Sequence, residues 1–167
     1  LGARVFEIEE QAHLTGAAVS LIVLDLDRFK QVNDVHGHER GDSVLREVAY
    51  EIRKSLRSFE LVYRIGGEEF LVLLPGVDLS EALEIAERVR HAVQEARPGD
   101  LDLTVSAGVA TDAGGDISYD ALFRAADAAL LEAKRSGRNR VETAGGLSAL
   151  AFPGARRVHG DPSAVRA

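Results

Sequence analysis

Apolar positions recur along this chain in two rhythms, a helical one of about 3.6 residues and short unbroken runs that suit strands. Val5, Phe6, Ile8 and Ala12 predict a helix over residues 3–14, ended by Thr15-Gly16. Val19 to Leu24 is almost continuously apolar, as expected of a strand covered on both faces. Residues 26–42 are mostly polar and include Gly37 and Gly41, which predicts a loop with a helical turn near Phe29 to Val32. Ser43–Leu56 places Val44, Leu45, Val48, Ile52 and Leu56 on one face of an amphipathic helix. Two runs rich in β-formers then flank Gly66-Gly67, from Leu61 to Leu74, and predict a tight hairpin with both glycines at positive φ. Pro75-Gly76 closes it. Asp78 with Glu81 resembles a capping box and opens a helix carrying Ala82, Ala86, Val89 and Val93, which stops before Pro98-Gly99. Leu101, Leu103, Val105, Ala107 and Val109 alternate with polar or small residues, a strand with one buried face. Ala113-Gly114-Gly115 reads as a turn, Ser118–Arg135 as a helix, and Asn139–Glu142 as a short last strand.

The order is strand, helix, strand, strand, helix, strand, with one added helix. That is a ferredoxin-like βαββαβ core of the α+β class, a central antiparallel sheet flanked by helices. In such a sheet the first strand lies beside the hairpin. From Thr143 the composition shifts to Ala, Gly, Pro and Arg without periodicity. The chain therefore divides into a folded domain, 1–142, and a flexible tail, 143–167.

Composition narrows the field. With 167 residues, 46% of them apolar, the chain can bury a sizeable core. The net charge of −7 argues against a nucleic-acid or anionic-membrane surface but leaves room for one nucleotide on a local basic patch. Without cysteine there is no disulfide and no thiolate metal site. No apolar run approaches the roughly 18 residues of a membrane span, and no signal peptide opens the chain. It starts at Leu1, inside a helical pattern, as a piece of a longer protein would.

The chemistry concentrates at two strand ends. Glu68-Glu69 sits at the hairpin tip, and Leu21 to Leu24 runs into Asp25-Leu26-Asp27. Two carboxylates about 6 Å apart repel by roughly 3 kcal/mol at an effective dielectric near 20, and a cation offsets that. If the strand ends meet, the cluster suits a hard divalent ion such as Mg²⁺. Solvated glutamates at a turn are the alternative.

Arg64-Ile65-Gly66-Gly67-Glu68-Glu69-Phe70 resembles the signature of GGDEF domains, the diguanylate cyclases, in its GGEEF form. It is accompanied in order by Leu24-Asp25-Leu26-Asp27-Arg28-Phe29-Lys30, Val32-Asn33-Asp34, Gly37-His38 and Gly41-Asp42. Ala86-Glu87-Arg88-Val89-Arg90, Thr104 to Ala110, Ala126 to Leu130 and Lys134 to Asn139 follow. The resemblance covers about residues 1–142 and implies the palm-like nucleotidyl cyclase arrangement of the βαββαβ core. It further implies condensation of two GTP into cyclic di-GMP and pyrophosphate by a homodimer, each subunit supplying half of the site. Cytoplasmic catalysis is expected, with a parent protein that could be membrane-anchored through an upstream sensory or dimerising region.

Carried onto this sequence, the resemblance makes Asp25, Glu68 and the Leu26 carbonyl ligands of Mg²⁺, with Mn²⁺ as a substitute. Glu69 is a further acid, either ligand or proton acceptor, and Asp27 a structural or supporting acid unless it is a solvated strand end. Asn33 and Asp42 match the guanine-binding pair; an amide and a carboxylate together read the edge of guanine. Asp42 also suits an N-cap for a helix starting at Ser43, and Asn33 a loop turn. Lys134 and Arg138 match the cations of the β- and γ-phosphates, although they also suit a helix C-terminus, and Gly137 argues against a shared helical face. The backbone of the Arg28-Phe29 turn and Lys30 complete the phosphate contacts. Gly66-Gly67 would let nucleotide approach the backbone. His36 and His38 are not expected to bind metal.

Departures are informative. The family's inhibitory product site is an Arg-x-x-Asp motif; here Arg57-Ser58-Phe59-Glu60 keeps the Arg and lengthens the acid, and Arg88 matches a further arginine. Weakened product inhibition is expected, the other reading being a surface ion pair between Arg57 and Glu60. Leu1-Gly2-Ala3-Arg4 matches only the end of the family's opening segment, and Leu131 replaces a frequent Tyr. The alternative function is a catalytically silent GGDEF module that binds GTP or cyclic di-GMP and signals by contact. A general nucleotidyl cyclase or polymerase-like palm would share the carboxylates, but Asp42 speaks for guanine.

Overall fold

The central strand is β1, Val19–Leu26, buried at every position. In the structure, a computed structural model that describes residues 2–113 and 118–144, β1 pairs antiparallel on both sides. One neighbour is β3 (Glu69–Pro75) and the other β4 (Val105–Asp112). Edge strand β2 (Leu61–Arg64) pairs antiparallel with β3, and β5 (Val141–Thr143) pairs parallel with β4, giving the order β2-β3-β1-β4-β5. The first four strands have the ferredoxin-like order, and β5 extends the sheet. Mixed α+β architecture with an open five-stranded sheet is thus the fold.

Alternation along β1 builds two cores. Ile22, Leu24 and Leu26 face one side with Phe70, Val72, Val105 and Ala107, covered by α3 (His38–Lys54) and α4 (Leu79–Ala96). Leu21 and Val23 face the other with Leu71 and Leu73, covered by α1 (Gly2–Thr15) and α5 (Tyr119–Arg135). Both faces being covered, β1 is unbroken apolar from Leu21 to Leu24, and its Ser20 is buried with the hydroxyl 2.6 Å from that of Thr111 on β4. β4 is likewise covered on both faces, buried at all but its last residue. Its alternation of apolar with small residues therefore does not mark one exposed face: Ser106, Gly108 and Ala110 are small because α5 lies against them.

Residues 26–42 are not a loop. They form α2 (Phe29–His36) and the first turn of α3, separated by Gly37 at φ 80°. His38-Glu39-Arg40 shows no apolar stripe because that turn faces solvent. The hairpin also differs from expectation. Neither Gly66 nor Gly67 has positive φ; the turn is wider, closed by Ile65 N–H donating to Glu69 O at 3.0 Å. Arg64 holds it from outside, its Nη2 donating to Gly67 O at 2.7 Å and its Nε to Gly66 O at 3.2 Å. Asp78 caps α4 through Glu81 N–H at 2.9 Å, as its spacing predicted. Of the expected tail 143–167, Thr143 belongs to β5, while residues 145–167, like Gly114-Gly115, lie outside the described residues. Among the described residues no helix is long and apolar enough to cross a membrane.

Candidate active site

The site lies where β1 and β3 end. Asp25 is 6% exposed and stands opposite Glu69 on β3 and Ser106 on β4. Leu26 N–H donates to Glu68 O at 3.2 Å, which ties the turn to the end of β1. Lys134 reaches across from α5, its Nζ 2.8 Å from Asp25 Oδ2. Burial pushes the Asp25 carboxyl above its ordinary value, with the Asp27 charge adding to the rise; Lys134 and, more weakly, Arg138 pull it back. Glu68 is raised as well, by burial first, then by the charge of Asp25, with Lys134 opposing and Glu69 adding. Asp25, Glu68 and Glu69 thus form one repelling acidic group with a single lysine beside it. Among the described residues no three His, Cys, Asp or Glu side chains are already gathered as a closed metal cage. Two carboxylates and the Leu26 carbonyl are hard oxygen donors, the donor type that suits a hard divalent cation at an open site.

Glu69 folds back over Gly66. A Cβ on Gly66 would collide with Glu69 Oε2, whereas one on Gly67 would meet nothing within 4 Å. Space at Gly66 is therefore taken by Glu69, and only Gly67 remains open to an approaching ligand. Asp27 is no solvated strand end. It is 5% exposed and accepts from Thr104 Oγ1 and Ser106 Oγ, each at 2.7 Å, and from Asn139 N–H at 3.0 Å.

On the other side of the strand end, Arg28 takes a left-handed turn at φ 58° and launches α2 with no side-chain cap. Phe29 is buried and Lys30 exposed. Asn33 is half-buried within α2, not in a turn, and it touches α3 at Gly41. A Cβ on Gly41 would overlap Asn33 Oδ1 and stand 3.2 Å from Phe29 Cζ. Asp42 is exposed on α3 and lies inside that helix, so it is not an N-cap. The structure thus brings Asn33 and Asp42 to one junction between α2 and α3. A cleft of about 420 Å³ runs along the opposite face of α2, past Arg28, Gln31, Val35, Thr104 and Arg138, and does not include the Asn33–Asp42 junction. Helix α5 ends at Arg135, and Arg138 follows in a separate turn at φ 64°, so Lys134 and Arg138 share no helical face.

The Arg57 segment departs from the surface ion pair. Glu60 is fully buried; its Oε2 accepts from Arg57 N–H at 2.7 Å and its Oε1 has no hydrogen-bond partner. The Arg57 guanidinium instead meets Glu81 at 2.7 Å, and Arg88 Nε donates to Ser55 O at 3.0 Å. Arg53 donates to the carbonyls of Glu60 and Arg57 and organises this turn. Composition and spacing did not single out Arg53, Ser106 or Asn139. Their roles depend on partners 4 to 112 residues away that no apolar period or familiar motif marks.

Known proteins agree with this geometry. The family model "Diguanylate cyclase, GGDEF domain" matches residues 5–140. Diguanylate cyclase DgcP of Pseudomonas aeruginosa is 40% identical over 148 residues, 86% of this chain and 22% of that protein. The chain therefore spans only about a fifth of that relative's length. The active GGEEF domain of a diguanylate cyclase from Vibrio cholerae superposes with a TM-score of 0.78 at 31% identity, covering 83% of this chain and 90% of that one. The GGDEF domain of DgcB from Caulobacter crescentus, solved in complex with c-di-GMP, gives 0.79 at 33% identity over 86% and 87%.

Proposed function

Since the chain belongs to the GGDEF family of diguanylate cyclases, we propose that it condenses two GTP molecules into cyclic di-GMP across a two-fold homodimer interface. In each half-reaction a 3′-hydroxyl oxygen bonds to the partner nucleotide's α-phosphorus while the bond to the bridging β-phosphate oxygen breaks. Pyrophosphate leaves, and the hydroxyl proton passes to a base at the site. Two such steps close the ring and release two pyrophosphates. We place the catalytic domain at 1–142.

The observation that carries the reading is the union at one strand end of Asp25, Glu68 and Glu69 with Lys134. Asp25, Glu68 and the Leu26 carbonyl would hold Mg²⁺, which neutralises triphosphate charge and polarises the reacting oxygens when bound. Lys134 is held against the same carboxylate and lies ready for the β- and γ-phosphates, with Arg138 and the exposed Lys30 beside them. At the α2–α3 junction, Asn33 and Asp42 would read guanine, Phe29 forming the floor beneath. Glu69, the member of the acidic group that lies over Gly66, would accept the hydroxyl proton.

Glu60 is turned into its own loop and Arg57 is engaged by Glu81, which supports weak or absent product inhibition. The test is chromatography of products after incubation with GTP and Mg²⁺, at concentrations that drive dimerisation. Cyclic di-GMP that is lost in Glu69→Gln supports the reading. Tight GTP binding without turnover, even in a dimer forced by a fused coiled coil, assigns a silent binding module instead.

A further inference from the structure

Three consecutive residues after α5 have positive φ: Gly137 at 116°, Arg138 at 64° and Asn139 at 47°. Residues with side chains hold this conformation only where their surroundings enforce it. The enforcing groups are specific. Arg138 N–H donates to Ala133 O at 3.0 Å, which fixes the turn to the end of α5. Asn139 N–H donates to Asp27 Oδ2 at 3.0 Å, which fixes it to the end of β1. The Asn139 side chain adds a third anchor. Its Oδ1 accepts from Arg90 Nη1 at 2.7 Å and its Nδ2 donates to Gln94 Oε1 at 3.3 Å, both on α4. Arg90 is itself 11% exposed and held by Glu87 at 2.8 Å. Asp27 in turn is locked to the start of β4 by the hydroxyls of Ser106 and of Thr104 just before it.

Arg138 therefore sits between anchors that reach three different elements, while its own guanidinium stays exposed toward the acidic group. A cation on a free loop would lose orientational freedom on meeting a polyphosphate; one on a turn fixed in advance loses less. Asparagine suits the last of the three positions for two reasons. It tolerates positive φ better than other residues with a side chain, and its amide can accept and donate at once, which glycine cannot. We propose that Asn139, clamped by Asp27 and Arg90, is a positioning residue that presents the Arg138 guanidinium to the nucleotide's polyphosphate. This rests on the cyclase reading above for the identity of the nucleotide.

The test uses 3′-deoxy-GTP, which lacks the attacking hydroxyl and so reports binding without turnover, alongside steady-state kinetics with GTP. The variants are Asn139→Val, Asn139→Asp, Arg138→Ala and the Asn139→Val/Arg138→Ala double variant. Asn139→Val is expected to weaken 3′-deoxy-GTP binding about tenfold and to raise KM more than it lowers kcat. Asn139→Asp keeps an acceptor for Arg90 and the tolerance for positive φ, and stays within about threefold of the parent. In the Arg138→Ala background the Asn139→Val effect disappears. Where Asn139→Val fails to fold, Asn139→Gly carries the same comparison, since it keeps the backbone and loses only the amide bonds. If the parent binds 3′-deoxy-GTP but the Asn139 substitution costs as much with Arg138 absent as present, the positioning role is overturned and the cyclase reading stands. If the parent binds no 3′-deoxy-GTP at all, both fall.

Discussion

Replacing Gly108 by alanine should separate the structural core from the site more sharply than any surface change. Gly108 lies in the middle of β4, opposite Val23, where α5 crosses the sheet. A Cβ there would stand 2.9 Å from Leu130 Cα and closer still to Leu130 N and Ala126 O. These are backbone atoms and cannot rotate aside. Carbon contacts settle at about 3.5–4.0 Å, so α5 must retreat by roughly 1 Å. Retreat loosens Leu122, Ala126 and Leu130, each at most 2% exposed, from Leu21, Val23 and Leu71. Overpacking of this kind costs about 3 kcal/mol. At about 3 °C per kcal/mol for a domain of this size, Tm should fall by about 9 °C. The same retreat moves Lys134, one turn beyond Leu130, away from its 2.8 Å contact with Asp25. A displacement near 1 Å at reacting groups costs about a hundredfold in rate, so turnover should fall further than stability alone explains. Melting followed by circular dichroism, with product formation measured at 20 °C below the variant's Tm, reads both effects. Gly67→Ala is the control for stability, since its added carbon meets nothing within 4 Å and its φ is not positive. A Gly108→Ala protein that melts within about 2 °C of the parent would refute the packing argument.

Three further outcomes follow from the site. Gly41→Ala displaces the Asn33 side chain rather than backbone, so GTP affinity should drop about tenfold while Tm moves by less than about 3 °C, measured by nucleotide titration and melting. Asp25 and Glu68 have raised carboxyl values, so the folded state favours their protonated forms. Their contribution to stability is therefore fully present below the ordinary carboxylate range and is lost as pH rises through the raised folded values. Glu68→Gln should raise the metal-free Tm at pH 7 and flatten that decline, and millimolar Mg²⁺ should stabilise the parent more than this variant; an unchanged Tm–pH profile would count against the repulsive cluster. Arg57→Ala breaks only an exposed pair with Glu81, worth about 0.5 kcal/mol, so Tm should hold within about 2 °C. The sensitivity of turnover to added cyclic di-GMP should also be unchanged; a clear loss of inhibition would show a working product site.

Legibility in the sequence followed the range of the interaction that fixes each feature. Strand β1 and helices α4 and α5 are written in local apolar spacing, and the Asp78 cap in a three-residue offset, so they could be read directly. The start of α3 could not, because His38-Glu39-Arg40 faces solvent and its helical state is inherited from the stripe that begins at Val44. Strand β4 misled for the opposite reason: its small residues mark the close approach of α5, which only the assembled sheet reveals. Within the site, the acids and cations were visible as residue types in a familiar order. Their supports were not. Ser106 and Asn139 matter through Asp27, and Glu60 through the Arg57 backbone N–H, relations that apolar spacing does not encode.

The end of β1 shows why that order of residues carries so much. Successive side chains of a strand alternate between faces. Leu24 and Leu26 therefore anchor in the core beneath α3 and α4, while Asp25 and Asp27 turn to the α5 side, one toward Lys134 and one into the Thr104–Ser106–Asn139 network. Arg28 then reverses the chain, and Phe29 returns it to the first core, which sets α2 and Asn33 on the side opposite Lys134. A stretch of nine residues, from Asp25 to Asn33, thus spans both faces of the sheet at the end of β1. One insertion between Asp25 and Asp27 would exchange the faces of everything after it. Asp25 and Asn33 are consequently held in register by the period of the strand, and neither can drift without unpacking a core.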